Sequence, residues 1–251
     1  METITFIGNG NMALSIAKGL KEVFKIEVVG RSEESLKKFE KNLGIFVEKK
    51  LMDDFDITGK VVVLCIKPAN IQEVGAKLTG VADELYSVLA GTTIETLKDN
   101  IKSKGTIRSM PNLCASVGES LTTLTGDIHL KQTAQELFKA IGNTVWLNTQ
   151  KELDIATALA GSGPAYLALI HEALCDGAVK QGMKRADAIE VANGLFSGFG
   201  KLIPTTHSAL LKDGVMSPGG TTAAGYAALE ECGVRHGCIK AIEDAFKVTQ
   251  K

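Results

Sequence analysis

Hydrophobic residues follow two different patterns along the chain. Up to about residue 150, short apolar runs typical of buried strands alternate with stretches in which apolar residues recur at helical spacing. From residue 151 onward only the helical spacing continues. Alternating strands and helices are typical of a parallel sheet covered by helices on both faces. The sequence therefore predicts an α/β fold, with a doubly wound parallel sheet over residues 1–150 and an all-helical domain over residues 151–251.

Strands and helices are predicted to alternate through the first domain. The predicted strands are residues 3–7, 25–29, 61–66, 86–91, 105–108, 121–124 and 143–147. The predicted helices are residues 14–20, 33–43, 94–101 and 130–141. The strand at 61–66 is apolar throughout, which indicates burial on both faces of a parallel sheet. The charged stretch 48–60 carries no predicted element.

The second domain is predicted to consist of long helices. The first covers residues 152–181 and is interrupted at Gly161-Ser162-Gly163-Pro164, where proline removes a backbone donor. The next covers residues 186–202 and carries several large apolar side chains. A domain of this size cannot bury such helices by itself, so we expect them to pack against a second subunit.

The composition is that of a globular protein without a strong charge. The 251 residues are 45% hydrophobic and 23% charged, and the net charge is −1. No basic patch favours nucleic acid, no signal peptide is evident, and no run approaches the ~20 apolar residues of a membrane span. Five cysteines without a C-x-x-C pair favour reduced thiols. We therefore expect a cytoplasmic protein without a nucleic-acid or membrane partner.

The first predicted strand runs directly into the motif Gly8-Asn9-Gly10-Asn11-Met12-Ala13, which opens the first helix. This is the G-x-G-x-x-A arrangement of Rossmann-type domains, in which the three small residues have separate roles. Gly8 makes the tight turn, Gly10 admits a pyrophosphate close to the backbone, and Ala13 allows close packing of helix and strand. All six residues are candidate cofactor-binding positions.

The end of the second predicted strand indicates which dinucleotide is bound. Enzymes that use the cofactor without a 2′-phosphate usually carry an acidic residue there, whereas this chain has Arg31 and Ser32. An arginine can pair with a 2′-phosphate, and a serine can add a hydroxyl. The sequence thus favours NADP(H), with NAD(H) as an alternative. The other interpretation is an arginine on a solvated helix start.

The apolar strand ends in Ile66-Lys67-Pro68, at the edge of the sheet where doubly wound folds bind ligands. Lys67 either touches the cofactor or only marks the point where the chain meets water, and the pattern favours neither. Cys65, within the apolar run, is expected to be a core residue. Ile66, Lys67 and Pro68 are candidate cofactor-binding residues.

A second glycine-rich loop, Ser217-Pro218-Gly219-Gly220-Thr221-Thr222, precedes an alanine-rich stretch of high helix propensity. Such a helix N-terminus exposes unpaired N–H groups and the positive end of the helix dipole, so it suits a carboxylate or phosphate. The alternative is a simple helix cap provided by the threonines. Because residues 8–13 already supply a pyrophosphate site, a small carboxylate is the more fitting anion here.

Other polar residues have weaker claims to a function. Lys212 and Asp213 are adjacent charges at a helix end, and nothing at fixed spacing orients His207. The segment 232–238 contains two cysteines and a histidine, but zinc sites normally need four ligands at recurring spacing. We expect no metal.

These segments together resemble the pyrroline-5-carboxylate reductase family over essentially the full chain. The matching motifs are Gly8–Ala13, Ile66-Lys67-Pro68, Arg108 with Met110-Pro111-Asn112, residues 160–166, Leu211-Lys212-Asp213 and residues 217–225. The resemblance implies NADPH-dependent reduction of the C=N bond of 1-pyrroline-5-carboxylate to L-proline, the last step of proline biosynthesis. It also implies a homodimer interleaved through the helical domain, often gathered into a decamer.

The resemblance also implies roles for individual residues. Ser217, Gly219, Gly220, Thr221 and Thr222 would hold the substrate carboxylate, and the Thr222 hydroxyl, the candidate catalytic group, would reach the ring nitrogen. Ala90 and Gly91 would line the nicotinamide end of the cofactor together with Lys67 and Pro68.

Two rival functions remain open from the sequence. Related imine or β-hydroxyacid reductases usually place a lysine or aspartate in the middle of the long helix, whereas residues 161–164 contain no ionisable side chain. The other rival is a protein that binds NADP(H) without catalysis. The reduction itself needs no histidine if the iminium form binds, or if water or Thr222 supplies the hydrogen bond to nitrogen.

Overall fold

The computed structural model describes residues 2–250, and its N-terminal part is built around an eight-stranded sheet. The ten strands are β1 Thr3–Ile7, β2 Lys25–Gly30, β3 Glu48–Leu51, β4 Phe55–Asp56, β5 Val61–Leu64, β6 Leu78–Thr79, β7 Ala82–Ser87, β8 Ser103–Met110, β9 Ser120–Gly126 and β10 Gly142–Trp146. The sheet order is β10-β9-β8-β7-β5-β1-β2-β3, and β4 pairs with β6. The predicted α/β class with a Rossmann-type sheet is confirmed.

Eleven α-helices connect or follow the strands in the described residues. They are α1 Asn11–Leu20, α2 Glu33–Leu43, α3 Ile71–Gly75, α4 Ile94–Asn100, α5 Lys131–Lys139, α6 Gln150–Ala156, α7 Gly163–Lys180, α8 Arg185–Leu202, α9 Ser208–Val215, α10 Thr221–Glu231 and α11 Val234–Thr249. Local chemistry sets several ends: Ser32 caps α2, Gly44 ends it in the left-handed conformation at φ +78°, and Thr149 and Glu152 form a capping box for α6.

Apolar side chains of the central strands enter both faces of the sheet. In β1, Ile4 and Phe6 pack on the side of α1, whereas Ile7 packs on the opposite side with Leu64 and Leu85. The alternation follows from the two-residue period of a strand. Burial on both faces explains why the apolar run at β5 was recognisable from the sequence.

The sheet is not parallel throughout, and this corrects one detail of the prediction. Across the sheet from β3 through β2, β1, β5 and β7 to β8, adjacent strands are parallel, but β9 runs antiparallel to β8. The connection between them, residues 111–119, contains only a short 3₁₀ turn. Because a parallel crossover needs about a dozen residues or more, this short connection returns the chain in the opposite direction.

The short strands β3, β4 and β6 were not predicted, and β7 begins and ends earlier than predicted. β7 is Ala82–Ser87 rather than residues 86–91, because its first half contains Asp83 and Glu84, which break the apolar pattern. β3 lies in the charged stretch where no element was predicted. It is an edge strand, and charged residues suit such an edge because they discourage pairing with another chain.

The chain forms two compact units. The first extends to Ser162 and includes the C-terminal segment from Ala245, and the second is Gly163–Asp244. The division by contacts thus falls at residue 162, while the predicted domain boundary at residue 150 remains a prediction. In the second unit α7 packs along α8, where Cys175, Ala188 and Ala192 are buried.

One helical segment of the described chain, Gln150–Lys180, is long and apolar enough to cross a membrane by length and composition. It has 31 residues, and its most apolar window has a mean hydropathy of 1.4 with 22% of that window buried. The sequence prediction of no such run is wrong on this measure, because Ala, Leu and Ile residues on both sides of the Gly161–Pro164 break keep the mean hydropathy high. The same composition suits a helix covered by another subunit.

Candidate functional site

A pocket of about 630 Å³ opens at the carboxyl ends of β1, β2 and β5 in the first unit. The sequence-predicted residues Gly8, Asn9, Gly10, Asn11, Arg31, Ile66 and Lys67 line it. Ligands of doubly wound sheets bind at this edge, where the strand order reverses between β1 and β5. The structure therefore brings the glycine-rich loop, the arginine and the end of β5 to one cavity.

Gly8 and Gly10 have the separate roles that the motif predicts. Gly8 has φ +103°, and a Cβ there would overlap the backbone carbonyl oxygen of Cys65, so only glycine fits. A Cβ at Gly10 would meet nothing within 4 Å. The space beside Gly10 is open, and Gly10 is the N-cap of α1 without a side-chain hydrogen bond in the described residues. An uncapped helix N-terminus beside open space is an arrangement that suits a pyrophosphate.

Met12 and Ala13 do not line this pocket. Ala13 is fully buried in the core, and Met12 packs against the same cluster, so both hold α1 on the sheet. Their assignment as cofactor-binding residues remains a prediction. The structure gives them a packing role.

The side of the pocket formed by the end of β2 and by α2 carries two positively charged side chains. Arg31 and Lys38 line the pocket, and neither forms an ion pair within residues 2–250. Lys37, by contrast, pairs with Glu33 at 3.6 Å. Ser35, Lys38 and Asn42 lie three and four residues apart, which places them on one face of α2 towards the pocket. Sequence reasoning missed this face because only the strand end was considered.

Ser32 has a structural task in α2. Its Oγ accepts a hydrogen bond from the Ser35 N–H at 3.4 Å and lies 3.1 Å from the Ser35 hydroxyl. Ser32 is not among the lining residues, whereas Ser35 is. The predicted cofactor contact of Ser32 stays a prediction, and Ser35 is the serine that the pocket exposes.

The end of β5 contributes an exposed lysine and a neutral thiol. Lys67 is exposed and lines the pocket, whereas Pro68 opens a 3₁₀ turn outside the lining. Desolvation raises the pKa of the Cys65 thiol, so the thiol stays protonated and weakly nucleophilic at neutral pH. Cys65 packs against the core but is half-buried and also lines the pocket, so the structure differs in part from its interpretation as a core residue.

Ala90 and Gly91 follow β7 and lie outside this pocket. Gly91 has φ +67°, and a Cβ there would lie 3.4 Å from the backbone oxygen of Thr249 in the last turn of α11. The positive φ favours glycine, as a turn at the strand end requires. A cofactor contact of Ala90 and Gly91 remains a prediction.

The second predicted group lies in the helical unit, in the loop before α10. The Gly220 N–H donates to the Ser217 carbonyl at 3.0 Å, and Gly219 has φ +70°. Proline at the second position and a positive-φ glycine at the third define a type II turn. A Cβ at Gly220 would approach the Ser217 Oγ to 2.5 Å, so the serine hydroxyl covers this glycine.

The N-terminus of α10 is open. Gly220 is the N-cap, and no side chain within residues 2–250 caps the helix, so capping by the threonines is wrong. Thr221 and Thr222 occupy the first turn and are exposed. The backbone N–H groups of this first turn lack helical acceptors, and two hydroxyl groups stand beside them. This donor set suits a small carboxylate.

Charged residues connect α9 and α10, the helices on either side of this loop. The Lys212 Nζ lies 2.8 Å from Asp213 and 5.3 Å from the centre of the Tyr226 ring. Glu230 accepts hydrogen bonds from Tyr226 and Arg235, which lower the pKa of its carboxyl to about 2. Lys212 and Asp213 therefore form an ion pair with each other, and Lys212 also contacts Tyr226. His207 caps α9, because its Nδ1 accepts from the Ala209 N–H at 3.2 Å.

No group of three or more His, Cys, Asp or Glu side chains in the described part of the chain could hold a metal ion.

The fold and the glycine-rich pocket define a dinucleotide-binding oxidoreductase with a helical second unit. A family described as NADP oxidoreductase coenzyme F420-dependent matches residues 3–89. A family described as pyrroline-5-carboxylate reductase dimerisation matches residues 150–251. The second match begins at the capped start of α6.

Curated relatives and solved structures specify the family. The pyrroline-5-carboxylate reductase of Helicobacter pylori is 31% identical over 98% of both chains, and that of Pisum sativum is 35% identical over 98% of this chain and 94% of that protein. The crystal structure of 1-pyrroline-5-carboxylate reductase from Streptococcus pyogenes has a TM-score of 0.87 and 30% identity, covering 99% of this chain and 98% of that chain. The chain belongs to the pyrroline-5-carboxylate reductase family.

Proposed function

We propose that this chain catalyses the NADPH-dependent reduction of the C=N bond of 1-pyrroline-5-carboxylate to L-proline, the last step of proline biosynthesis. The observation that carries the proposal is the presence of both required sites in a member of this family. Within residues 2–250, the first unit has an open glycine-rich pocket with unpaired cations, and the second has an uncapped helix N-terminus beside two hydroxyl groups.

The pocket of the first unit holds the cofactor in this proposal. The backbone at Gly8 to Asn11 binds the pyrophosphate, and Arg31 pairs with the 2′-phosphate, with Lys38 and Ser35 beside it. The two free cations favour NADP(H), while NAD(H) lacks the group that they would bind. Lys67, Pro68, Ala90 and Gly91 belong to strand ends on the nicotinamide side of the site.

The loop before α10 holds the substrate. The N–H groups at the start of α10 and the hydroxyls of Ser217 and Thr221 bind the carboxylate. The Gly219–Gly220 turn places the backbone close to that carboxylate. The Thr222 hydroxyl forms a hydrogen bond to the ring nitrogen and serves as the catalytic group.

The reaction needs orientation more than acid or base chemistry. Bound NADPH supplies a hydride to the C=N carbon. The protein fixes the ring by its carboxylate and nitrogen, so that the carbon faces the cofactor, and nitrogen ends with a proton from the bound iminium form, from water or from Thr222. The reaction requires no acidic or basic side chain with a strongly shifted pKa.

The protein is proposed to act as a cytoplasmic homodimer through the helical unit, with assembly of dimers into a decamer. The match to a dimerisation family over residues 150–251 supports association of like chains. Large apolar side chains that the single chain leaves exposed supply the surface: Leu167, Leu169, Leu195, Phe199, Leu210 and Leu229.

The activity is tested by following NADPH absorbance on addition of pyrroline-5-carboxylate to the purified protein. We expect NADPH oxidation with this substrate, no NADPH oxidation without substrate, and no NADP⁺ reduction when 3-hydroxy acids are mixed with NADP⁺. Turnover of a 3-hydroxy acid would favour the β-hydroxyacid reductases. Tight NADPH binding without turnover of any substrate would favour a non-catalytic protein.

A further inference from the structure

Asn112 is fixed on three sides at the end of β8. Its N–H donates to the Ser120 Oγ at 3.1 Å, and its Oδ1 accepts from the Cys114 N–H at 3.1 Å. Its Nδ2 donates to the carbonyl oxygen of Ala160, also at 3.1 Å. The residue is only 9% exposed. A buried amide with both ends engaged holds one orientation.

The Ala160 carbonyl lies where the helical hydrogen-bond pattern is broken. In an α-helix the carbonyl of residue 160 would accept from the N–H of residue 164, but residue 164 is proline and has no N–H. The preceding turn, Thr157–Gly161, is π-helical, with the Ser162 N–H donating to the Thr157 carbonyl at 3.1 Å. Asn112 therefore gives Ala160 the donor that Pro164 withholds.

This contact lies in the half of the sheet that serves the nicotinamide. In the order β3-β2-β1-β5-β7-β8, the glycine-rich pocket occupies the β1–β3 side, and the other mononucleotide half is β5, β7 and β8. Asn112 follows β8 at its carboxyl end, the ligand-binding edge. π-Helical turns inside α-helices are frequent at functional sites.

We propose that Asn112 is a positioning residue for the reduction, because its amide holds the Thr157–Gly161 turn at the nicotinamide edge of the first unit. The proposal rests on the proposed function, and the contact between Asn112 and Ala160 is tested separately through the unfolding temperature. Asn112 acts through the Ala160 carbonyl and touches neither hydride nor imine. Its loss is expected to disturb the geometry of the reacting half and to leave the adenosine half intact.

The first experiment replaces the donor by a carboxylate oxygen, which cannot donate to Ala160 and adds a negative charge. Asn112→Asp keeps the oxygen that accepts from Cys114 and replaces the amide group that faces Ala160. We expect kcat to fall roughly tenfold or more, because small misplacements of a reactant are costly, while the NADPH dissociation constant changes by less than about twofold. Asn143→Asp on the exposed face of β10 is the matched control and is expected to change neither quantity.

The second experiment restores a donor from the backbone. Pro164→Ala supplies an N–H at residue 164, so the Asn112→Asp/Pro164→Ala double variant is expected to recover much of the kcat and of the unfolding temperature that Asn112→Asp loses. Pro164→Ala alone is expected to have a small effect. If Asn112→Asp does not fold, Asn112→Leu with and without Pro164→Ala replaces the pair.

Strictly additive losses in the double variant would overturn the proposal, since they would mean that the two residues serve different carbonyl groups. A matching rise of the NADPH dissociation constant would also overturn it. A wild-type protein without activity would refute the proposed function instead, and the recovery of the unfolding temperature in the double variant would still test the Asn112–Ala160 contact.

Discussion

Single residues show most clearly which parts of the site the sequence could and could not predict. Gly8, Gly10 and Arg31 fall in one pocket, as their motif positions predict. Lys38 was missed because its role depends on the face that α2 turns to the pocket. The buried ion pair of Arg108 and Asp154, 2.6 Å apart, was missed because the partners are 46 residues apart and polar. Long-range pairing of polar residues leaves no periodic signal in a sequence.

Removing the hydroxyl group of Thr222 is the most direct test of the substrate site. Thr222→Ala is expected to lower kcat with pyrroline-5-carboxylate about tenfold or more, because it removes a hydrogen bond to the reacting ring. The NADPH dissociation constant, measured by fluorescence, should not change. Thr222→Ser keeps the hydroxyl and is expected to retain most activity. Equal activity of the alanine and serine variants would refute the role.

The cofactor preference is tested at Arg31 and Lys38. Arg31→Ala and Lys38→Gln are each expected to raise the KM for NADPH roughly tenfold, since each loses a charged contact to the 2′-phosphate. The KM for NADH should stay within about twofold of wild type. Lys37→Gln is the matched control, because Lys37 pairs with Glu33 and does not line the pocket. A similar effect of Lys37→Gln and Lys38→Gln would assign the change to general surface charge.

At the scale of elements, the glycine-rich loop combines a folding requirement with a binding requirement. Gly8 lies so close to the end of β5 that any Cβ would overlap it, whereas Gly10 borders open space.

Burial decides which strands the sequence could predict. β1 and β5 are buried on both faces and stand out as apolar runs, while the edge strand β3 is charged and the start of β7 carries acidic residues.

Replacing Gly8 and Gly10 by alanine is expected to affect different properties, stability for Gly8 and NADPH binding for Gly10. Gly8→Ala should lower the free energy of unfolding by about 1–3 kcal/mol, because an alanine at φ +103° is strained and its methyl group would meet the Cys65 carbonyl. Gly10→Ala should leave the unfolding temperature nearly unchanged and weaken NADPH binding, because its methyl group occupies the space for the pyrophosphate. Thermal unfolding and NADPH titration of both variants check this. Loss of stability in Gly10→Ala would contradict the assignment.

At the scale of the whole molecule, the helical unit has too little buried surface for its size. Only Cys175, Ala188 and Ala192 form its buried cluster, and Leu195 and Phe199 remain 57% and 50% exposed. Large exposed apolar surfaces of this kind mark contacts with another protein or with a membrane. The apolar helices in the sequence already indicated that this unit buries too little of its own surface. The sequence of one chain does not show which residues of a partner cover that surface.

The association is tested by changing one apolar side chain of α8. Phe199→Asp places a charge on the surface proposed to meet the second subunit, and burying an unpaired charge is costly. Light scattering in detergent-free buffer should show wild-type protein at twice the mass of one chain or more, and the variant at the mass of one chain.

The control for this change is Phe46→Asp, a residue 84% exposed in the first unit. It should keep the wild-type mass, because Phe46 lies outside the helical unit. Phe199→Asp is expected to keep NADPH binding, since the glycine-rich pocket belongs to the first unit, and to lose turnover, since the Ser217–Thr222 loop belongs to the unit that has lost its partner. An unchanged mass would refute this surface as the interface, and wild-type protein that stays dispersed only in detergent would favour a membrane for the Gln150–Lys180 segment.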